Sequence, residues 1–199
     1  MDRRNFLHSA VGLGTASLAL SASLTGTSQA KQFPTFQPNP QQEQPKMNTD
    51  QPVLIAADPF AKTLKDAIVT HLNEKGYTVI DLGTPEDLPY YEGAVAACRA
   101  IQSGKAERAI LLCGTGMGMS VIANRFKGIV ASVVESVFAA KMCRAINNAN
   151  VLCLGSMIWG DWMANEAVDA FLTTQFTEGL DPLADYLRDA EKKVSVIRD

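Results

Sequence analysis

The sequence carries no excess of basic residues. Its 199 residues include 18 lysines and arginines against 21 aspartates and glutamates, which gives a formal net charge of −3. Without a basic surface to neutralise phosphates, nucleic acid is not an expected partner. The apolar content of 47% is enough for one domain with a proper core. Small molecules and other proteins are therefore the candidate partners.

No long hydrophobic run occurs near the amino terminus. Residues 10–24 are the most apolar stretch there, but glycine, serine and threonine interrupt them, and a membrane span needs about 20 apolar residues. The stretch follows the pair Arg3 and Arg4 and precedes the segment SQA, which ends at Ala30. This arrangement is typical of a twin-arginine signal. We expect residues 1–30 to be a signal peptide for the twin-arginine export machinery, and the mature protein to be periplasmic.

Residues 31–52 are rich in glutamine, proline and asparagine, which predicts a disordered tether. The predicted working domain is residues 53–199. Short apolar segments there alternate with segments whose apolar residues are three and four apart, such as Leu64, Ile68 and Leu72. This pattern predicts an α/β fold, a three-layer α/β/α sandwich around a five-stranded parallel Rossmann-like sheet. The predicted strands are residues 53–57, 77–82, 109–113, 129–134 and 151–155.

A glycine-rich motif, CGTGMGMS, occupies residues 113–120 at the end of a predicted strand. Ligands of parallel α/β sheets bind beyond the carboxyl ends of the strands. Glycines at 114, 116 and 118 allow a sharp turn whose N–H groups face one point, at the start of a helix predicted near Met119. Such a nest suits a phosphate or a developing oxyanion. Tight packing of a strand-to-helix turn uses the same residues, so both interpretations are open.

Cys113 opens this motif. The start of a helix favours the thiolate form of a nearby cysteine, which makes Cys113 a candidate base or nucleophile. A cysteine that ends a buried strand is more often a small apolar core residue. Its position next to the glycines favours the chemical role.

Four separated segments, LLCGTGMGMSVIAN, INNANVLCLG, EKGYTVIDLGT and AVDAFLTTQFTEG, resemble the type B ribose-5-phosphate isomerase family, which includes the subunits of galactose-6-phosphate isomerase. The resemblance covers residues 53–179 and implies an aldose–ketose isomerase without a cofactor or metal ion. It implies that Cys113 moves a proton between C1 and C2 of an open-chain sugar through a cis-enediolate. It also implies a homodimer or a dimer of dimers, because members of the family build each active site from two subunits.

The same resemblance assigns the site residues. Thr115 joins Cys113 as a catalytic residue, and the glycine-rich loop is expected to stabilise the enediolate oxygen. Three side chains from other segments are expected to hold sugar hydroxyls. The substrate-binding positions are Asp58, Tyr90, Gly114, Gly116, Gly118, Ser120 and Asn147.

The sequence departs from the family pattern where phosphate is bound and the sugar ring is opened. Pro59 and Ile146 replace the two histidines of the family, and Leu180 and Ala184 replace the two arginines that clamp the phosphate. A phosphate dianion then loses its bidentate contacts. His71, the one histidine of the working domain, is expected on a solvated helix face. We therefore expect a sugar substrate that is not phosphorylated.

Two other functions fit these departures. A catalytically silent sugar-binding protein would keep the pocket without ring opening, and a thiol-dependent enzyme would use Cys113 as a nucleophile. The isomerase is favoured because a binding protein needs no thiol there. Arg188 is a candidate replacement for the phosphate clamp, and Trp159 and Trp162 either stack on a sugar or serve the core or a dimer contact.

The last segment and the other cysteines leave alternatives open. Residues 182–197 predict an amphipathic helix that covers either a partner subunit or its own domain. Cys98, Cys143 and Cys153 fall inside predicted strands or helices, so we expect buried free thiols, with one disulfide among the cysteines as the alternative.

Overall fold

The computed structural model describes residues 51–83 and 90–197, except for the side chain of Tyr90. The expected signal peptide and nearly all of the tether lie outside these residues. Five strands form one sheet in the order β2-β1-β3-β5-β4, and all four strand pairs are parallel. The predicted α/β fold with a five-stranded parallel sheet is confirmed. The strands are β1 (Val53–Ala57), β2 (Val79–Asp81), β3 (Arg108–Cys113), β4 (Ala131–Val133) and β5 (Val151–Gly155).

Six α-helices connect or follow the strands in the described part of the chain, none of them long and apolar enough to cross a membrane. Two short 3-10 helices, Pro59–Ala61 and Asp181–Leu183, precede α1 and α6. The helices are α1 (Lys62–Glu74), α2 (Tyr90–Gln102), α3 (Met117–Ala123), α4 (Val137–Asn147), α5 (Asp161–Thr173) and α6 (Ala184–Ser195).

Both faces of the sheet are covered by helices, which explains why the central strands read as continuous apolar runs. Successive residues of a strand point to opposite faces. Ile55 faces the core that contains Phe171 of α5, and its neighbour Leu54 faces the core that contains Met119 of α3. The two cores give the three layers that the sequence predicts.

The strand order reverses between β1 and β3. From β1 the chain crosses through α1 to β2 on one side, and from β3 it crosses through α3 to β4 on the other side. The loops that follow β1 and β3 therefore diverge and leave a crevice at the carboxyl edge of the sheet. Asp58 begins one of these loops, and Gly114 begins the other.

Candidate active site

The turn between β3 and α3 lies directly on the end of β5. Gly116 adopts a left-handed conformation with φ of 76°, which favours glycine. A Cβ added to Gly116 would lie 3.0 Å from the backbone of Leu154, and one added to Gly155 would lie 2.6 Å from the backbone of Thr115. Backbone cannot move aside as a flexible side chain can, so both positions require glycine. Sequence reasoning did not assign Gly155 to the site, although a glycine that ends a buried strand is a signal for such a close approach.

The thiol of Cys113 is held inside this turn. Its Sγ accepts a hydrogen bond from the N–H of Gly116 at 3.1 Å, and the residue is 6% exposed. The structure therefore places the sulfur of Cys113 within hydrogen-bond reach of a backbone N–H at the carboxyl edge of the sheet.

The other three cysteines have different surroundings. Burial raises the pKa of the Cys98 thiol to about 11, and it also raises the pKa of Cys143 and of Cys153. The Sγ of Cys143 donates to the carbonyl of Ala140. All four cysteines are free and buried, as the sequence led us to expect. Only Cys113 lies at the carboxyl edge of the sheet, in the crevice.

Asp58 approaches the same turn from β1. Its carboxylate accepts a hydrogen bond from the N–H of Ala61 at 3.1 Å and so caps the 3-10 helix. Burial raises the pKa of the Asp58 carboxyl, while the N–H groups of Ala61, Phe60 and Gly114 oppose that rise. The interaction with Gly114 places the carboxylate beside the residue that follows Cys113, so the fold brings Asp58 and Cys113 into the same crevice.

The predicted oxyanion nest is wrong in part, because several of its N–H groups are already used. The N–H of Gly114 interacts with the carboxylate of Asp58, and the N–H of Gly116 donates to the sulfur of Cys113. These two donors hold the acid and the thiol in place. They are not free to face an oxyanion.

The start of α3 explains a second correction. The helix begins at Met117 and not near Met119, because Gly116 caps it. Ser120 is therefore inside the helix, where its N–H donates to the carbonyl of Gly116 and its hydroxyl donates to the carbonyl of Met117. Within the residues that the structure describes, the N–H groups of Thr115 and Gly118 have no acceptor. These two groups form the remaining nest.

Asn147 lies at the opposite edge of the sheet from the thiol. It ends α4 just before β5 begins at Val151, whereas Cys113 pairs with Gly155 at the far end of β5. The strand between these ends spans about 13 Å. Within one chain, Asn147 does not reach Cys113. Tyr90 begins α2, and its side chain lies outside the described part of the chain.

The positions of the family's phosphate clamp also lie away from the thiol. Leu180 precedes the second 3-10 helix, and Ala184 begins α6. Arg188 donates to the hydroxyl of Thr177 at 3.1 Å, and the N–H of Thr177 donates to the carbonyl of Ala145 near the end of α4. Arg188 therefore lies on the same edge as Asn147.

Two further expectations are settled by burial. Trp159 is in the core, where its indole N–H donates to the carbonyl of Val134 at 3.0 Å; Trp162 is 81% exposed. The expectation that His71 is solvated is wrong. Its Nε2 lies 2.9 Å from the Oδ1 of Asp169, and its side chain is only 18% exposed, because α1 packs against α5.

Exposed apolar side chains surround the crevice. They come from the loops and helix starts at the carboxyl edge, which carry no periodic pattern, and of these side chains sequence reasoning named only Trp162 as a candidate. Met157 packs against the thiol-bearing turn, since its Cε lies 3.2 Å from the place of a Cβ on Gly114. The members of this apolar rim are Phe60, Met117, Phe138, Met157 and Trp162.

The side chain of Lys65 is not part of the rim. It is buried and bound to both carboxylate oxygens of Asp81.

A metal centre is not evident, since residues 51–83 and 90–197 contain no group of three or more histidine, cysteine, aspartate or glutamate side chains placed to hold an ion. The crevice brings together the sulfur of Cys113, the carboxyl group of Asp58 and two open N–H donors. A thiolate base with donors for an oxyanion suits proton transfer next to a carbonyl.

Several known proteins similar to this chain are named sugar isomerases. The chain is 45% identical over 151 residues to the 4-deoxy-4-sulfo-D-erythrose isomerase of Clostridium sp. (strain MSTE9), which covers 74% of this chain and 95% of that relative. It is 40% identical over 131 residues to the ribose-5-phosphate isomerase B of Escherichia coli (strain K12), with coverage of 64% and 87%. The ribose 5-phosphate isomerase structure from Thermotoga maritima superposes with a TM-score of 0.67 at 35% identity, covering 74% of this chain and 99% of the other.

These findings define the class of the protein as an aldose–ketose isomerase. Residues 53–182 match the Ribose/Galactose Isomerase family. The chain belongs to that family, as its motifs led us to expect.

Proposed function

We propose that this isomerase acts on a short, open-chain sugar that carries no phosphate, with Cys113 as the base. The observation that carries the proposal is the hydrogen bond from the N–H of Gly116 to the sulfur of Cys113, in a crevice whose clamp positions are Leu180 and Ala184. The first feature supports proton transfer, and the second disfavours a phosphate dianion.

The proposed reaction is a proton transfer between two carbons. In the aldose-to-ketose direction, the thiolate of Cys113 removes the proton from C2, and the C–H electrons form a C1–C2 double bond while O1 becomes an oxyanion. The resulting cis-enediolate is stabilised by the N–H groups of Thr115 and Gly118. Cys113 then returns the proton to C1, and the O2 proton passes to O1 through the exposed hydroxyl of Thr115. No atom is gained or lost.

Asp58 is the proposed acceptor for a substrate hydroxyl. The residue is 9% exposed, and its carboxylate lies beside Gly114 in the same crevice. A hydrogen bond from a sugar hydroxyl would compensate for part of the burial that raises the pKa of Asp58. The contact would orient the sugar so that C2 meets the sulfur.

A second copy of the chain completes the proposed site. Asn147 and Arg188 lie on the edge of the sheet away from Cys113 of their own chain, so both can serve only the site of another copy. The exposed apolar rim surrounds the crevice, and burial of such a surface favours association. We therefore propose a homodimer in which each crevice receives residues from the partner.

The absence of ring-opening histidines fits a four-carbon substrate. Pro59 and Ile146 occupy the histidine positions implied by the family resemblance. The Clostridium relative is named for 4-deoxy-4-sulfo-D-erythrose, a tetrose in which C4 carries sulfur in place of the oxygen that would close a five-membered ring. Such a sugar is already open in solution. An enzyme for it needs no group to open a ring.

The charge of the site also fits a sulfonate better than a phosphate. A phosphate ester carries a charge of about −1.5 to −2 at neutral pH, whereas a sulfonate carries a single charge. Lys65, the cation near the loop after β2, is bound to Asp81, and Arg188, close to the former clamp, donates to Thr177. We propose a C4 substituent other than phosphate, with sulfonate as the first choice.

The proposed export from the cytoplasm supports this choice of substrate. Arg3 and Arg4 precede a moderately apolar stretch of the type that twin-arginine signals carry. Phosphorylated sugars are made and used inside the cell. A periplasmic isomerase would meet sugars without phosphate.

A comparison of kcat/KM across four substrates tests the proposal. The panel is 4-deoxy-4-sulfo-D-erythrose, D-erythrose 4-phosphate, free D-erythrose and ribose 5-phosphate. We expect the sulfonate to be used best and ribose 5-phosphate at least 100-fold less well, a difference of about 2.7 kcal/mol, because the phosphate clamp and the ring-opening histidines are absent. Equal or faster turnover of ribose 5-phosphate would refute the proposed substrate. Saturable binding of a sugar without turnover of any would favour the silent binding protein.

A further inference from the structure

Ser156, which directly follows β5, connects the loops around the crevice. Its N–H donates to the carbonyl of Cys113 at 2.9 Å, and its hydroxyl donates to the carbonyl of Phe60 at 3.0 Å. The first bond continues the pairing of β3 with β5 beyond the strand ends. The second joins residues 96 positions apart in the chain. Since β3 lies between β1 and β5 in the sheet, this second bond links the two strands that flank the thiol-bearing strand.

The 3-10 helix Pro59–Ala61, to which Phe60 belongs, sets the direction of the Asp58 carboxylate. The Oδ1 of Asp58 accepts from the N–H of Ala61 at 3.1 Å, and the N–H of Phe60 also interacts with this carboxylate. The backbone of Asp58 is fixed separately, because its own N–H donates to the carbonyl of Leu112 on β3. The side chain of Asp58 therefore follows the position of the 3-10 helix.

Packing secures this 3-10 helix only in part. Ala61 is buried in the core, whereas Pro59 and Phe60 are exposed. The hydroxyl of Ser156 restrains the exposed part through the carbonyl of Phe60. Groups that bind a reacting substrate need such supporting contacts, because a small misplacement of the substrate lowers the rate.

We propose that Ser156 is a positioning residue of the isomerase, which aims the carboxylate of Asp58 at a substrate hydroxyl by holding the 3-10 helix in place. The inference rests on the role proposed above for Asp58. Ser156 acts through the carbonyl of Phe60 and contacts no reacting atom. Loss of its hydroxyl should therefore weaken substrate binding and leave the base, Cys113, in place.

Steady-state kinetics of Ser156→Ala test this role, with whichever of the four proposed sugars the wild type turns over fastest. The variant keeps the N–H bond to Cys113 and loses the bond to Phe60. We expect KM to rise roughly 3- to 10-fold, the range that the loss of one hydrogen bond predicts. We expect kcat to stay within about twofold, because a contact made equally before and in the transition state affects KM alone. Ser156→Thr, which retains a hydroxyl, should restore KM.

Ser103→Ala is the matched control. The hydroxyl of Ser103 also donates to a backbone carbonyl at 3.0 Å, but this residue lies between α2 and the start of β3, at the amino edge of the sheet. The variant loses the same type of bond away from the crevice. Its KM should equal that of the wild type.

A double-mutant cycle with Asp58→Asn separates positioning from a general effect on the fold. If Ser156 acts through Asp58, Ser156→Ala should raise KM no further once Asp58 has been replaced. An effect that is independent of Asp58 would add to the effect of Asp58→Asn.

The possible contrary results are distinguishable. A wild-type KM in Ser156→Ala, beside a raised KM in Asp58→Asn, would overturn this inference alone and leave the proposed function intact. Equal increases in Ser156→Ala and Ser103→Ala, or additive effects in the cycle, would also overturn it, because the cause would then be a general loss of stability. A wild-type KM in Asp58→Asn would refute the proposed role of Asp58 and this inference with it.

Discussion

The N–H of Gly116 donates a 3.1 Å hydrogen bond to the sulfur of Cys113. Gly116 also adopts a left-handed conformation, with φ of 76°, which directs the chain after this bond into α3. The same residue caps α3 and lies on the backbone of Leu154. One glycine thus connects the strand, the helix and the thiol.

Gly116→Ala should reduce both stability and turnover. The new Cβ would meet the backbone of Leu154 at 3.0 Å, and a left-handed alanine itself costs about 1–2 kcal/mol. Gly128→Ala is the matched control, because Gly128 has φ of 77° but nothing within 4 Å of the added Cβ. Urea unfolding and kcat measurements on both variants separate the two effects. We expect Gly128→Ala to lose only stability, and equal kcat in both variants would contradict the role of the turn.

Asp58→Asn should change the pH dependence of stability. Burial raises the pKa of the Asp58 carboxyl above 3.8, so the folded protein holds this proton more tightly than the unfolded chain does. The stabilisation is complete below pH 3.8 and is lost as pH rises through the raised pKa. The free energy of unfolding of Asp58→Asn, relative to the wild type, should therefore increase from about pH 3 to pH 7.

Asp66→Asn provides the control with the opposite sign. Its hydrogen bond from Lys62 lowers the pKa of the Asp66 carboxyl, which gives stability above pH 3.8 that is lost as pH falls. The stability of Asp66→Asn relative to the wild type should therefore decrease over the same range. Parallel curves for the Asp58 and Asp66 variants, from urea unfolding at each pH, would argue against a buried Asp58.

The three central strands and the closeness of Asp58 to Cys113 could be predicted from sequence. Residues 53–57 and 151–155 were predicted with the observed bounds, because strands covered on both faces consist of apolar residues only. The edge strands β2 and β4 are shorter than predicted. Just before β2, the N–H of Tyr77 donates to the carbonyl of Leu72 near the end of α1. This N–H is therefore not available for pairing with a neighbouring strand.

The errors in the site have tertiary causes. The number of free N–H groups in the glycine-rich loop depends on which acceptors the fold brings near, and no local pattern contains that information. The pairing of His71 with Asp169 joins residues 98 positions apart in the chain. The distance between Asn147 and Cys113 follows from the direction of α4, so the residue that the family motif assigns to the site lies at the other edge of its own chain.

Mixing two inactive variants tests the shared site. Cys113→Ala lacks the base, and Asn147→Ala lacks the residue proposed to come from the partner. If each crevice uses both chains of a dimer, refolding an equal mixture should restore about a quarter of wild-type activity, since half of the dimers are mixed and each has one intact site. Light scattering should show the dimer at micromolar concentration. No recovery from mixing, or an active monomer, would contradict the shared site.

Export should depend on the two arginines at the amino terminus. Mass spectrometry of the periplasmic fraction should find a mature protein that begins close to Lys31. Replacing Arg3 and Arg4 with lysine should keep the full-length chain in the cytoplasm, because the twin-arginine pair is the expected export signal. An intact Met1 in wild-type protein that stays in the cytoplasm would contradict the proposed localisation.

Exchange of substrate protons with deuterated water examines the proposed base directly. With 4-deoxy-4-sulfo-D-erythrose, NMR should show wild-type protein introducing deuterium at C2 of the aldose and at C1 of the ketose, because a proton held on Cys113 exchanges with solvent between the two transfers. The Cys143→Ala variant, which lacks a buried thiol outside the crevice, should retain this exchange. Cys113→Ala should lose it by at least 1,000-fold while remaining folded, as the loss of a general base predicts. Exchange by Cys113→Ala at the wild-type rate would show that another group moves the proton.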